Sequence, residues 1–194
     1  MMVVEVAEMA KAAIKFSYDD YKSLPESETK RYELLEGELA LVPSPSWLHQ
    51  SILRLLFKYL DSFIEARGLG EVRFAPVDVV LSDEDVVQPD LLFIAQDQLG
   101  IISEEAVRGA PDLVVEILAP ATAQRDRTYK RTLYARHGVK EYWLVDPESK
   151  TVEVLKLGRR GYERAGLYKE KGGEALESPL LPGLRMPVDE IFLA

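Results

Sequence analysis

"VVQPDLLFI" (residues 86–94) reads as a buried strand interrupted by one charge, Asp90, and "DLVVEILAP" (112–120) repeats the pattern with Glu116. Side chains alternate across a strand, so Asp112, Val114 and Glu116 share one face while Leu113, Val115 and Ile117 share the other. Glu116 therefore points where Val114 points, into apolar surroundings. A carboxylate left dry and unpaired costs several kcal/mol, so it protonates, finds a partner or binds a metal. Pro89 denies the ladder one donor, which suits Asp90 to a strand start, an edge or a bulge. If the two strands are neighbours, both carboxylates converge at one end of a sheet. Two carboxylates with waters or a backbone carbonyl are oxygen ligands that Mg²⁺ or Mn²⁺ accepts. The competing reading is an ordinary pair of acids that salt-bridge internally or face solvent.

The rest of the chain narrows the setting. Its 194 residues, 47% hydrophobic and 29% charged, suit a single soluble domain over 1–194. Within it, residues 1–16 read as an N-terminal extension and 170–194 as a loosely structured C-terminal segment. No apolar run approaches the roughly 20 residues that span a bilayer. The start, "MMVVEVAEMAKAAIK", lacks the basic opening and long apolar centre of a secretory signal. A cytoplasmic protein without a membrane partner is the expectation.

Cysteine is absent, which excludes disulfides, thiolate metal sites and cysteine nucleophiles. Asparagine is absent too, and with many charged residues this is the composition of a thermophilic source. A net charge of −9 argues against holding nucleic acid through the overall field, but leaves a local basic surface open. Neither type of Gly-rich phosphate loop is present, so no nucleotide cofactor is expected.

Local patterns give the elements. "SYDDYKSLP" predicts a short helix capped by Ser17 and Asp20. "RYELLEGELALVP" predicts a hairpin turning at Glu36-Gly37. A long helix follows, capped by Ser44 or Ser46, with Ile52, Leu55, Leu56, Tyr59, Leu60 and Phe63 as its apolar stripe and Gly68 at its end. Strands are predicted at about 71–81, 86–95 and 112–118, with a short helix near 103–107. "RDRTYKRTLYARHGV" predicts a helix ending at Gly138, and "KEYWLVDPESKTVEVLKLG" a hairpin turning at Pro147-Glu148-Ser149. The remainder supplies at most one more short strand. This order describes a mixed α/β sheet with a helix on each side.

"QPDLLFI", followed by the Glu of "PDLVVEIL", resembles the metal-binding core of the PD-(D/E)XK nuclease superfamily. "YELLEGEL", "PSPSWLHQ", "VVQPDLLFI", "GAPDLVVEILAPAT", "DRTYKRTLYARHGVKEYWLVDP" and "VEVLKL" stand in the order of the Uma-two family of restriction-endonuclease-like proteins, over roughly residues 17 to 160. The resemblance implies a restriction-endonuclease-like α/β fold. In it a mixed four-stranded sheet is flanked by helices and supplemented here by hairpins, and the chemistry is Mg²⁺- or Mn²⁺-dependent hydrolysis of DNA.

Asp90 matches the Pro-Asp carboxylate and Glu116 the second acid, with the Ile117 carbonyl as a further metal ligand. The lysine normally two residues after the second acid is missing, because that position is Leu118. Related nucleases take the cation from the following helix, where Lys130 shares a face with Asp126 and Tyr134. The family pattern also matches His49 and Glu33 as outer-shell or proton-carrying groups, with Glu36 and Glu38 as rivals of Glu33 for the inward position.

His137 reads as a helix-end residue, Asp112 as a strand entry and Asp146 as a turn residue. Arg125, Arg127, Lys130, Arg131, Arg136 and Lys140 form a basic cluster that could meet a phosphate backbone or simply be solvated. Restriction-type folds often pair, so a homodimer is expected. Two functions stay in view: a metal-dependent endonuclease acting on DNA, and a module that keeps the fold without the chemistry and binds DNA or protein.

Overall fold

A computed structural model describes residues 15–25 and 31–193. Most of the expected N-terminal extension lies outside these residues. The described chain opens with α1 (Tyr18–Lys22), capped reciprocally by Ser17 and Asp20. The hairpin β1 (Arg31–Leu35) and β2 (Glu38–Val42) turns at Glu36 and Gly37, both at positive φ. Helix α2 (Trp47–Glu65) takes its cap from Ser46, whose hydroxyl accepts the His49 N–H. Its buried stripe is His49, Ile52, Leu53, Leu56, Leu60 and Ile64, so Leu55, Tyr59 and Phe63 flank it rather than centre it.

Both strands expected at 71–81 and 86–95 are split. The first divides into β3 (Gly70–Phe74) and β4 (Val79–Ser82), the second into β5 (Asp85–Val87) and β6 (Leu91–Ala95). Pro76 and Pro89 fall in the two gaps, as expected of residues that cannot donate to a ladder. The helix expected near 103–107 is instead a 3₁₀ segment at Gln96–Ile101, followed by β7 (Val107–Arg108).

The later strands are β8 (Leu113–Ile117), β9 (Glu141–Asp146), β10 (Thr151–Gly158) and β11 (Gly161–Lys169). Between β8 and β9 runs one helical stretch: Ala123–Arg125, a π-helical turn at Asp126–Lys130, then Arg131–His137 closed by Gly138 at φ 86°. The segment after 170, expected to be loose, forms β12 (Ala175–Glu177), β13 (Arg185–Pro187) and a short helix, Val188–Ile191. Leu176, Leu181, Leu184, Met186, Val188 and Ile191 bury it in the core. Its apolar residues lack a clean period, which is why a pattern search passes over it.

The principal sheet has six strands, not four, in the order β11-β10-β9-β8-β6-β3; β8 and β9 are parallel and the other pairs antiparallel. A second sheet runs β2-β1-β5-β4-β7. Alternation on the central strands feeds two cores. Leu91, Phe93, Leu113, Val115 and Ile117 meet α2 and the C-terminal segment on one face. Leu92, Val114, Leu118, Tyr142 and Leu144 meet Leu133 and Tyr134 of the 123–137 helix and part of the second sheet on the other. The chain leaves the large sheet after β3, makes the β4–β5 hairpin in the second sheet, and returns through Gln88-Pro89-Asp90. Asp90 thus stands where the two sheets part.

Candidate metal and catalytic site

The pairing Leu91↔Val115 and Leu92↔Val114 carries Asp90 opposite Glu116 one step further along the same two strands. Directly opposed antiparallel residues project to one face, and both carboxylates line a cleft of about 820 Å³ between the sheets. Asp90 Oδ2 accepts the Ile117 N–H at 2.7 Å and lies 3.1 Å from His49 Nε2. His49 is on the first turn of α2, and its Nδ1 is buried without a partner among the described residues.

From the other side comes the 123–137 helix. Lys130 Nζ lies 2.7 Å from Glu33 Oε1, 2.9 Å from Glu116 Oε1 and 3.7 Å from Asp126 Oδ1. Lys130, Glu33, Glu116 and Asp126 are each only 2–4% exposed. One turn on, the Tyr134 hydroxyl donates to Glu116 Oε1 at 2.8 Å. Glu33 arrives on β1, and its Oε1 also accepts the Gln88 N–H at 2.9 Å. Glu36 and Glu38 face solvent, so Glu33 is the hairpin's inward acid.

Four carboxylates, Glu33, Asp90, Glu116 and Asp126, therefore surround one ammonium and one imidazole. The Glu116 pKa is raised to about 8, chiefly by burial; Lys130 opposes the rise, and Asp126, Asp90 and Glu33 add to it. Burial also raises Asp126, against the pull of Lys130. For Lys130 burial alone would favour the neutral amine, yet Glu116, Glu33 and Asp126 outweigh it and hold the pKa above the usual lysine value. The cluster has more negative charge than its own cation can offset. It must take up a proton or a further cation.

The donor set fits a divalent ion of the Mg²⁺ class. Among the described residues no hydrogen bond reaches Asp90 Oδ1 or Glu116 Oε2, whereas the opposite oxygen of each is engaged. No group of three or more His, Asp or Glu among the described residues forms a ready-made ligand set. This suits an ion that keeps several waters and binds through one or two carboxylates.

Asp90, Glu116, Ile117, Lys130 and Glu33, read from the sequence as site residues, all line this cleft, as does His49. Leu118 shares the Glu116 face and is buried in the apolar cluster, so an ammonium at that position would have to be buried there. Asp126 and Tyr134 were recognisable as sharing the Lys130 face, but nothing in the sequence marks the π turn that carries Asp126 and Lys130; such turns are frequent at functional sites. Gln88, two residues before Asp90, also lines the cleft.

The basic cluster expected along the helix is dispersed. Lys140 pairs with Asp112, Arg136 with Asp85, and Arg127 with Asp146, while Arg131 donates to the Tyr162 carbonyl. Of the six, only Arg125, Arg127 and Lys130 line the cleft. His137 lies 3.8 Å from Asp85, away from the site, and Asp146 also accepts the Glu148 and Ser149 amides as a turn residue.

A family model described as "Uma2: Putative restriction endonuclease" matches residues 18–189. The chain belongs to the Uma2 family. A crystal structure of "a putative nuclease belonging to DUF820" from Anabaena variabilis ATCC 29413 has the same fold, at TM-score 0.76 and 21% identity over 91% of this chain and 97% of that one. None of the curated proteins matches. Family membership supports a nuclease-like function for this Uma2 protein. No helix among the described residues is long and apolar enough to cross a membrane.

Proposed function

We propose that this Uma2 protein is a metal-dependent endonuclease that hydrolyses DNA phosphodiester bonds. The observation that carries the reading is the buried quartet at the cleft floor, Lys130 held by Glu33, Glu116 and Asp126, with Asp90 beside it on the next strand. Asp90 and Glu116 would hold Mg²⁺ or Mn²⁺, with the Ile117 carbonyl as a third oxygen. Bound there, the ion would polarise the phosphate and lower the pKa of a coordinated water.

The chain's own groups have separate tasks. Lys130 presents a fixed ammonium, oriented by three acids, to offset charge growing on the phosphoryl oxygens. It takes the part of the missing lysine from a different element, reaching Glu116 from the helix rather than from the strand. Glu33 fixes that ammonium and is itself fixed by the Gln88 amide. His49, 3.1 Å from Asp90, orients the carboxylate and can carry a proton between it and the cleft.

The test is cleavage of supercoiled and branched DNA with Mg²⁺ or Mn²⁺, wild type beside Asp90→Ala and Glu116→Ala. Cleavage that needs the metal and both acids supports the reading; activity surviving both substitutions overturns it. The second reading, a fold that binds DNA or protein without cutting, is favoured by Leu118 in the lysine position. It predicts no metal-linked rise in melting temperature.

A further inference from the structure

Trp47 is 87% exposed, the most exposed large hydrophobic side chain among the described residues. It occupies the first position of α2, two residues before His49. Ser46 and Leu48 on either side both line the cleft, and Leu48 is itself 40% exposed. The loop leading to Trp47 continues from β2, where Val42 pairs with Arg31, and both residues line the cleft. Arg125 reaches the same rim, its Nη2 lying 3.5 Å from the Leu41 carbonyl. Leu48, Arg31 and Arg125 thus line the cleft, and the exposed indole stands on the helix turn between two of its lining residues, Ser46 and Leu48. A singly exposed apolar side chain needs no partner by itself; it is the cationic groups beside it that give the surface the aromatic and basic character suited to a nucleic acid strand.

The cleft limits what form that strand takes. Its volume of about 820 Å³ falls within the roughly 300–1,000 Å³ of sites that enclose small organic ligands. Lys130 and Glu116, at the floor, are each 4% exposed. A phosphate must descend past the rim to meet them. A flexible single strand can bend into that path, whereas an intact duplex, stiff over tens of base pairs, cannot fold down into it without deformation.

Resting on the nuclease reading of this cleft, we propose that its substrate is a single-stranded or locally unpaired strand, with an unpaired nucleobase stacked on Trp47 and the flanking phosphates met by Arg31 and Arg125. Stacking on an aromatic ring accepts any base, so Trp47 would select for strandedness rather than for sequence.

Binding is measured in EDTA, so that no cleavage intervenes. The probe is an oligomer of about 20 thymidines, longer than the common site sizes of about 4–16 nucleotides, alone or annealed to its complement. The expected result is that the single strand binds more tightly than the duplex and quenches tryptophan emission. Trp47→Ala weakens single-strand binding about 10-fold and removes the quench while leaving duplex binding unchanged. Trp47→Phe restores part of the loss. Because Trp47 is exposed, neither substitution should alter the melting temperature.

Unchanged single-strand binding by Trp47→Ala, or tighter binding of duplex than of strand, overturns the inference. So does a wild-type dimer in sedimentation that Trp47→Ala dissociates, because the indole would then be covered by a second copy. Single-strand binding and quenching without cleavage under any metal keeps this inference and overturns the hydrolase reading. Metal-dependent cleavage that ignores both strandedness and Trp47 does the reverse.

Discussion

Asp112, just before β8, and Glu116, within it, point to the same face and are both sequestered, at 1% and 4% exposure, yet their surroundings differ in kind. Asp112 is saturated. It accepts the Ala95 N–H at 2.7 Å and the Gln98 amide at 3.2 Å, and pairs with Lys140 at 2.6 Å. Glu141 on β9 is similar, with donors from Trp143, Ser178 and Leu180. These acids tie strand ends to loops and to the C-terminal segment. Glu116 instead shares one ammonium with two other carboxylates, Glu33 and Asp126, has a third, Asp90, beside it, and lines a cleft. A buried acid with enough donors belongs to the architecture; a buried acid in a group short of positive charge is where the proposed cation would be held.

Substitution should separate the two acids most strongly. Asp90→Ala and Glu116→Ala are expected to lower metal-dependent DNA cleavage by at least about 10²- to 10³-fold. Asp112→Asn, measured in the same assay below its melting temperature, should leave cleavage near wild type while lowering that temperature. Equal losses of activity from all three would erase the distinction.

Lys130→Met removes the only ammonium from the quartet. A pair broken from one side typically costs about 3–5 kcal/mol. Urea unfolding at pH 8 should show a loss of that size, and a smaller loss at pH 5.5, where protonation relieves the stranded acids. Lys140→Met, at the half-exposed partner of Asp112, should cost less.

The apo protein's pH dependence sharpens the contrast. The folded pKa of Glu116, about 8, stands above its ordinary 4.5. The folded state therefore holds a proton that the unfolded chain releases. The associated stability is complete below about pH 4.5 and is lost as pH rises through about 8. In EDTA, melting temperature should fall between pH 5 and pH 8, and Glu116→Gln should flatten the fall. A slope unchanged by Glu116→Gln would assign the titration elsewhere.

The smallest expected effect is ligand-linked. At about 100 times the dissociation constant, Mg²⁺ or Mn²⁺ adds about 2.7 kcal/mol, or roughly 5–10 °C for a chain of this size. Asp90→Ala and Glu116→Ala should abolish the rise and Asp112→Asn should keep it.

Much of this was legible in the sequence because it followed from local chemistry. Alternation assigned Glu116 to the Val114 face, Gly68 and one of two serines, Ser44 or Ser46, bounded α2, with the structure choosing Ser46, and Glu36-Gly37 turned the hairpin. What escaped depended on partners distant in sequence. Both acids follow a proline, Pro89-Asp90 and Pro111-Asp112, so the dipeptide could not say which would be saturated; Lys140 and Gln98 decide that through space. The split of each long strand at Pro76 and Pro89 reflects transfer between two sheets, which a single strand's pattern does not encode. The burial of the C-terminal segment likewise depends on α2 and β11 offering it a surface.

Diffraction from crystals soaked in Mn²⁺ and recorded at the manganese edge addresses the central claim most directly. One anomalous peak within bonding distance of both Asp90 and Glu116, and none beside Asp112, is the predicted result. A map with no peak between those two carboxylates, or with the ion bound only elsewhere, would contradict it.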